Sequence, residues 1–224
     1  MCDQIKNASL EWQDERTPIS IKFDEPYFSI FNGLDETRHV FLSGNNLCQR
    51  FNSGFHVAEL GFGTGLNLLA TWQLWIELGH TTPLKFTSFE AFPMTLKDMS
   101  HALKNWPELN HLATELIQQL ESGWTIKTST LDARIIVGDA RKTLKTWNYQ
   151  ADAWFLDGFS PAKNPELWEI NLLNSVSDHT AADGTFSTYT AAGFVRRRLS
   201  NAGFNVQRIK GYKRKRHMSI GRKS

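Results

Sequence analysis

The chain has 224 residues, of which 41% are hydrophobic and 21% are charged, as in an ordinary soluble globular protein. Its two cysteines, Cys2 and Cys48, match neither a disulfide framework nor a Cys-x-x-Cys metal site, and its seven histidines are scattered. We therefore expect no metal centre. The sequence shows no basic-then-apolar leader and no apolar run of membrane-spanning length, so the expected location is the cytoplasm.

Residues 1–55 are predicted to be an extension at the start of a single domain that covers residues 1–224. Within the extension, residues 19–23 alternate apolar and polar side chains as a strand does. Residues 38–42 are interpreted as the partner of this strand in an N-terminal β-hairpin, with Asn32 and Gly33 at the turn.

Residues 56–224 alternate apolar strands with helical stretches, which is typical of a parallel sheet covered on both faces. The predicted strands lie at residues 57–60, 84–89, 134–137, 153–156, 184–188, 204–209 and 217–221. The predicted helices lie at residues 66–78, 95–104, 108–120, 141–146, 166–177 and 191–201. No helix separates the last two strands, so we expect an antiparallel C-terminal hairpin at one edge. The pattern predicts an α/β, Rossmann-like core with a seven-stranded, mostly parallel sheet.

The first of these strands leads into a glycine-rich loop with Gly61, Gly63 and Gly65, and Asn67 follows in the first turn of a helix. Glycines permit a tight turn and let backbone N–H groups approach a ligand closely. Glu59 precedes the loop, and an acid there suits a cationic ligand better than a phosphate. S-adenosyl-L-methionine carries an ammonium and a sulfonium group, so the pattern predicts a class I methyltransferase that uses this cofactor. The glycine spacing departs from the dinucleotide fingerprint, because the third glycine comes one residue early.

Acidic residues also end the later strands of the predicted sheet. Ligands of doubly wound sheets bind beyond the carboxyl ends of the strands, so these acids are expected to lie together. Glu90 is predicted to accept hydrogen bonds from the cofactor ribose, and Asp139 from the adenine amino group, with the small Ala140 beside the base. Each acid alone could be a helix N-cap or a solvated strand end. Their recurrence at consecutive strand ends favours a cofactor site.

The fourth strand ends in Asp157-Gly158-Phe159-Ser160-Pro161. Amino-group methyltransferases carry an Asp/Asn-Pro-Pro-aromatic loop at this place, and the parts correspond in kind: a polar acceptor for the amine, an aromatic wall and a proline. We therefore interpret Asp157 and Phe159 as catalytic residues. The alternative for Asp157 is a cap for the next helix, although eight residues of separation from Pro165 weaken it.

The net charge of +2 hides a strongly basic segment, residues 196–224, which has eleven Lys and Arg and no Asp or Glu. Such a block predicts a surface for a polyanion. A solvated helix face and a solubilising terminus remain the alternative. Within the segment, the candidate phosphate-binding residues are Arg196, Arg197, Lys213, Arg214, Lys215 and Arg216.

Several of these motifs belong to a wider pattern. The longest is Asp-Ala-Trp-Phe-Leu-Asp-Gly-Phe-Ser-Pro-Ala-Lys-Asn-Pro at residues 152–165. Further motifs lie at residues 10–12, 23–29, 32–38, 59–67, 88–93, 106–109, 190–197 and 211–216. Taken together, they resemble the methyltransferase domain of the tRNA 5-methylaminomethyl-2-thiouridine biosynthesis enzymes, nearly from end to end.

This resemblance implies N-methylation of 5-aminomethyl-(2-thio)uridine at the wobble position, in the anticodon region of tRNA, with S-adenosyl-L-methionine as methyl donor. The family often fuses this domain to a flavin-dependent oxidase. No flavin motif is present here, so a separate oxidase or an upstream modification enzyme is expected to supply the aminomethyl substrate. Asp157 would orient the amine and accept its proton, Phe159 would stack on the flipped uracil, and Lys163 with the basic segment would hold phosphates.

Two alternatives stay open from the sequence. Glu90 would also suit the ribose of a nicotinamide or flavin cofactor in an oxidoreductase, although the glycine spacing and the Asp157 loop disfavour this reading. A non-catalytic tRNA-binding module with a methyltransferase fold is the second alternative, and the intact acids at the strand ends disfavour it.

Overall fold

The computed structural model describes residues 6–224, so Cys2 lies outside the described residues. The strands are β1 (Leu10–Gln13), β2 (Thr17–Ser20), β3 (Glu25–Pro26), β4 (His56–Leu60), β5 (Leu84–Glu90), β6 (Thr125–Lys127), β7 (Leu131–Val137), β8 (Ala151–Leu156), β9 (Thr180–Thr188), β10 (Phe204–Lys210) and β11 (His217–Lys223). The α-helices are α1 (Gly33–Thr37), α2 (Leu47–Arg50), α3 (Leu66–Glu77), α4 (Leu96–Leu103), α5 (Asn110–Glu121), α6 (Ala140–Thr143), α7 (Ile170–Asp178) and α8 (Gly193–Asn201). A π-helical segment (Arg38–Ser43) and 3₁₀ turns (Pro107–Leu109, Leu144–Thr146, Pro165–Trp168) complete the elements.

The large sheet has the strand order β10-β11-β9-β8-β4-β5-β7-β6. The five central strands, β7, β5, β4, β8 and β9, pair in parallel. β11 runs antiparallel to β9 and forms the predicted C-terminal hairpin with β10. The Rossmann-like α/β class predicted from the sequence is confirmed.

The strand count differs from the prediction, because β6 adds an eighth strand antiparallel to β7. This strand has three residues, and only Ile126 is buried. So short a segment carries too little alternation of apolar and polar side chains to be recognised from sequence. It covers the edge of β7 that would otherwise expose unpaired backbone groups.

The predicted hairpin between residues 19–23 and 38–42 is wrong. Instead, β2 pairs with β1 and with β3 in a separate three-stranded sheet, and residues 38–42 are helical. The Asn32 side chain accepts hydrogen bonds from the backbone N–H groups of Leu34 and Asp35. Asn32 is therefore the N-cap of α1 rather than a hairpin residue, since an Asn-Gly pair fits either role.

Hydrophobic cores cover both faces of the large sheet, and β8 shows how they divide. Ala153 and Phe155 point into a core that includes α3, α4 and α5, whereas Trp154 and Leu156 point into a core that includes α6, α7 and α8. Successive side chains of a strand point to opposite faces, so a continuous apolar run is what a doubly covered strand requires. Within residues 6–224, no helix combines the length and the apolar character that a membrane crossing needs.

The strand order places a crevice at the carboxyl edge of the sheet. From β4 the chain crosses to β5 and β7 on one side, and β8 then returns to the other side of β4. Loops on either side of such a reversal diverge, and ligands of open α/β sheets bind between them. β10 runs in the same direction as the central strands, so its turn into β11, residues 211–216, lies at this edge too.

Candidate active site

A cavity of about 950 Å³ lies at the carboxyl edge of the sheet. Its lining comes from the glycine loop, the ends of β5, β7 and β8, the N-terminal segment around β3 and α1, and the turn between β10 and β11. Its volume is at the upper end of the range for small-molecule sites. Six parts of the chain therefore meet around one ligand-sized space.

The glycine loop forms the floor between β4 and β8. Gly61 has φ of +93°, and a Cβ at this position would lie 2.3 Å from the carbonyl oxygen of Asp157, so only glycine fits here. Gly63 also lines the cavity, and its backbone N–H donates to Glu90. Gly65 is the N-cap of α3 and packs against Phe62 and Leu116 rather than lining the cavity.

Glu90, at the end of β5, lines the cavity and fixes the glycine loop. Its Oε2 accepts from the N–H of Gly63 at 3.0 Å, and its Oε1 accepts from the N–H of Phe92 at 2.8 Å. Burial raises the pKa of Glu90, and these backbone donors oppose the rise. Each carboxylate oxygen keeps a lone pair for another donor, so the predicted contact with ribose hydroxyls is compatible with this arrangement and stays a prediction.

Asp139 and Ala140 line the same cavity beyond β7. The Asp139 carboxylate caps α6 through the N–H of Arg141 and pairs with the Arg141 guanidinium at 2.7 Å. The hydrogen bond from Arg141 lowers the pKa of Asp139, so Asp139 is an ionised acceptor. Its capping role and its predicted contact with the adenine amino group do not exclude each other.

Glu59 lies beneath the cavity and does not line it, contrary to the expected direct contact with a cationic ligand. The residue is fully buried. Its Oε2 accepts from the hydroxyl of Ser88 at 2.7 Å, and its Oε1 accepts from Nδ2 of Asn67 at 2.9 Å. Burial raises the pKa of Glu59 well above its ordinary value. Glu59 therefore reaches the cavity only through Asn67.

Asn67 joins the buried acid to the cavity. Its Nδ2 donates to Oδ2 of Asp157 at 2.7 Å as well as to Glu59, while its Oδ1 accepts from the hydroxyl of Thr37 at 2.7 Å. Each of the two amide N–H groups of Asn67 thus donates a hydrogen bond to a carboxylate. Asn67 was expected to bind the cofactor, and the structure gives it the further task of holding Asp157 in one orientation.

Asp157 follows β8 and faces the cavity with only part of its surface exposed. Burial raises the pKa of Asp157 to about 7, and the nearby Glu36 carboxylate adds to the rise. The hydrogen bond from Asn67 and the charge of Lys215 act in the opposite direction. A carboxyl with a pKa near the working pH can exchange a proton with a bound group. The carboxyl group of Asp157 is therefore accessible from the cavity, is held in one orientation by Asn67, and has a pKa that suits proton exchange.

Phe159 lies in an aromatic cluster on one wall of the cavity. Its ring stacks on Phe23 with centroids 4.6 Å apart, and Tyr27 contacts it edge-on at 5.0 Å. Because Phe23 already covers one face of Phe159, any stacking on a substrate base is restricted to the remaining surface.

The candidate phosphate-binding residues divide into two groups. Lys213, Arg214 and Lys215 line the cavity, whereas Lys163, Arg196, Arg197 and Arg216 do not. Lys163 pairs with Asp24 at 2.7 Å, and Lys215 pairs with Glu36 at 2.9 Å. Neither of these lysines is therefore a simple exposed charge.

The N-terminal segment and the loop after β9 contribute lining residues to which we assigned no role from the sequence. The Glu25 carboxylate accepts from the backbone N–H and the hydroxyl of Ser160, which ties β3 to the loop after β8. Tyr189 donates to the carbonyl oxygen of Gly158 at 2.7 Å. Glu36 is only 13% exposed beside Lys215. The motifs at residues 23–29 and 32–38 were a usable signal for Glu25 and Glu36, whereas Tyr189 stands outside any motif.

Comparison with known proteins agrees with this geometry. A family model described as S-adenosyl-L-methionine-dependent methyltransferase matches residues 100–224, more than half of the chain. The match supports methyl transfer and not the oxidoreductase alternative.

Among solved structures, MNMC2 from Aquifex aeolicus has a TM-score of 0.76 and 24% identity, with 98% of this chain and 71% of that chain covered. Spermidine synthase from Thermotoga maritima has a TM-score of 0.54 and 13% identity, with 96% and 72% covered. A methyltransferase from Pyrococcus furiosus has a TM-score of 0.51 and 15% identity, with 87% and 85% covered. These likenesses concern the fold. With the family match, they confirm at the level of family and fold the resemblance found in the sequence: the chain belongs to the S-adenosyl-L-methionine-dependent methyltransferases, and S-adenosyl-L-methionine is its cofactor.

Proposed function

We propose that this protein methylates the primary amine of 5-aminomethyl-(2-thio)uridine at the wobble position of tRNA, giving 5-methylaminomethyl-(2-thio)uridine. The observation that carries the proposal is Asp157, a partly exposed carboxyl in the cavity with one oxygen held by Asn67 and a pKa of about 7. The sequence resemblance and the fold shared with MNMC2 support a tRNA substrate.

The cavity fits the cofactor in chemistry and in size. Glycine backbone at Gly61 and Gly63 permits close approach, and the carboxylates of Glu90 and Asp139 are acceptors for hydroxyl and amino groups. S-adenosyl-L-methionine supplies a methyl group that its sulfonium already activates. We propose that Gly61, Gly63, Glu90, Asp139 and Ala140 hold it, while Glu59, Gly65 and Asn67 support the floor beneath.

The chain's main chemical task is then to present the amine with a free lone pair. An alkylamine has a pKa on the order of 10, by analogy with lysine, so it is mostly protonated at neutral pH. In our proposal, Oδ2 of Asp157 stays bound to Asn67, and Oδ1 accepts a hydrogen bond and then a proton from the amine. Desolvation in the cavity lowers the pKa of the amine itself, which assists this transfer. Phe159 and Tyr27 form the apolar wall.

The partners follow from the same proposal. The cations at the cavity rim contact phosphates of the anticodon region, and a separate enzyme supplies the aminomethyl nucleotide. The cytoplasmic location expected from the sequence remains a prediction.

The test is methyl transfer from labelled S-adenosyl-L-methionine to tRNA taken from cells that lack this activity. Digestion to nucleosides and mass spectrometry should place the label in 5-methylaminomethyl-(2-thio)uridine. Fully modified tRNA is the control and should take up no label. A protein that binds the cofactor but labels no tRNA, or labels a different atom, would contradict the proposal.

A further inference from the structure

Cations lie over aromatic rings around the mouth of the cavity. The pairs are Lys22 with Phe23 and with Phe92, Lys213 with Tyr212, Arg214 with Phe31, and Lys215 with Tyr189. All of these residues line the cavity. Two chain segments that are far apart in sequence, residues 22–31 and 212–215, thus bring the same combination of groups to one rim.

Phe31 and Arg214 are the most exposed of these pairs. The Phe31 ring is 50% exposed, and the neighbouring Ile30 is 60% exposed. The guanidinium carbon of Arg214 lies 4.9 Å from the centre of the Phe31 ring. An exposed aromatic ring and an exposed isoleucine are therefore neighbours at the mouth of the cavity.

Most of the cations at this rim form no ion pair with a carboxylate in the part of the chain that the structure describes, so they can bind an anionic ligand. Lys215 is paired with Glu36, but no carboxylate among the described residues 6–224 lies within 4.0 Å of a Lys22, Lys213 or Arg214 side-chain nitrogen. Lys213 and Arg214 are both exposed. Cations without a carboxylate partner among these residues therefore lie beside aromatic rings, and the Phe31 ring is exposed.

We propose that Phe31 and Arg214 form a stacking platform for an unpaired nucleotide next to the one that is methylated. The inference rests on the proposed function and assigns a surface to one part of its substrate. A base in a duplex presents no free face, whereas an unpaired base stacks on an aromatic ring or on a guanidinium plane. The adjoining Lys213 neutralises the phosphate of the same nucleotide. The rim thus selects RNA in which the target is flanked by unpaired bases.

The test compares two RNA probes of equal length, a stem–loop with a uridine in its loop and a fully paired duplex, by fluorescence anisotropy. Phe31→Ala should weaken binding of the stem–loop by about 5- to 100-fold, as base–aromatic stacking is lost. It should leave duplex binding unchanged. Phe31→Tyr should restore the affinity, since it keeps the ring. Tyr149→Ala is the matched control, because Tyr149 is 62% exposed but precedes β8 at the opposite edge of the sheet.

Salt dependence separates stacking from charge. Phe31→Ala removes no charge, so the slope of log affinity against log salt should equal that of the parent protein. Arg214→Ala should flatten the slope by up to about one unit. Stem–loop binding that is unchanged in Phe31→Ala, or weakened equally for the stem–loop and the duplex, would overturn the platform. Methyl transfer by the parent protein tests the proposed function separately, so failure of the platform can be told apart from failure of the proposed function.

Discussion

At the floor of the cavity, the amide of Asn67 donates to Asp157 and to Glu59, which is buried beneath it. At the rim, by contrast, Lys213 and Arg214 face solvent beside aromatic rings. Floor atoms have fixed partners at hydrogen-bond distance in a buried setting, where losing one partner is costly. Charges at the rim are exposed, and each contributes little alone. In the proposed function, the floor therefore fixes the orientation and the pKa of Asp157, while the rim contributes affinity for the tRNA.

The largest expected effect is at Asp157. Asp157→Asn keeps the size of the side chain and one acceptor but removes the ability to take a proton. We expect the methylation rate in single turnovers to fall by roughly 10²–10⁴, with little change in cofactor affinity measured by calorimetry. Equal rates in mutant and parent would make Asp157 a turn residue only.

Asn67 should come next, because it acts through Asp157. Asn67→Ala removes a hydrogen bond that lowers the pKa of Asp157, so this pKa should rise by about one to two units, given roughly 1.5–3 kcal/mol for a hydrogen bond to a charge. The pKa can be followed by carbon NMR of labelled aspartate, with Asp157→Asn assigning the signal.

Thr71→Val is the matched control for Asn67. Thr71 lies one turn further along α3 and donates to the backbone carbonyl of Asn67, so it tests for general disturbance of the helix. The control should leave the pKa of Asp157 unchanged. If Asn67→Ala also left it unchanged, the positioning role of Asn67 would be wrong.

Glu90 tests the cofactor side of the floor. Glu90→Ala would release the N–H groups of both Gly63 and Phe92, whereas Glu90→Gln keeps one acceptor and loses the charge. We expect calorimetry to show weaker S-adenosyl-L-methionine binding in both, by about 1.5–3 kcal/mol in Glu90→Ala and less in Glu90→Gln. Unchanged affinity in folded proteins would remove Glu90 from the cofactor site.

The smallest effects are expected for the exposed cations of the rim and its surroundings. Lys213→Ala with Arg214→Ala should weaken tRNA binding and flatten its salt dependence by up to about one unit per lost contact, with cofactor affinity unchanged. Lys163→Ala should change the slope less, since Lys163 is already paired with Asp24. Identical slopes in the parent protein and in the Lys213 and Arg214 variant would make the basic segment a solubility feature.

Local sequence patterns predicted the main sheet and several residues at the floor of the cavity. Gly61, Gly63 and Glu90 could be placed because glycine spacing and strand ends are read within a few residues. An antiparallel N-terminal sheet is present, but the predicted partner at residues 38–42 was wrong. Asn32-Gly33 suits a turn and a helix start equally, and here it starts α1. The ion pair of Lys215 with Glu36 and the burial of Glu59 beneath Asn67 depend on contacts between segments that are distant in sequence. Such contacts cannot be predicted from a local sequence pattern.

The most direct test of the central claim, that Asp157 accepts the proton of the amine, is the single-turnover methylation rate from about pH 6 to about pH 10 in the parent and in Asp157→Asn. Since the pKa of Asp157 is about 7, the carboxylate is lost as the pH falls through that value. The parent rate should decline there and level off above it. The mutant should instead keep rising toward the pKa of the amine, on the order of 10, and so recover part of its activity. Parallel profiles in the two proteins would contradict the claim.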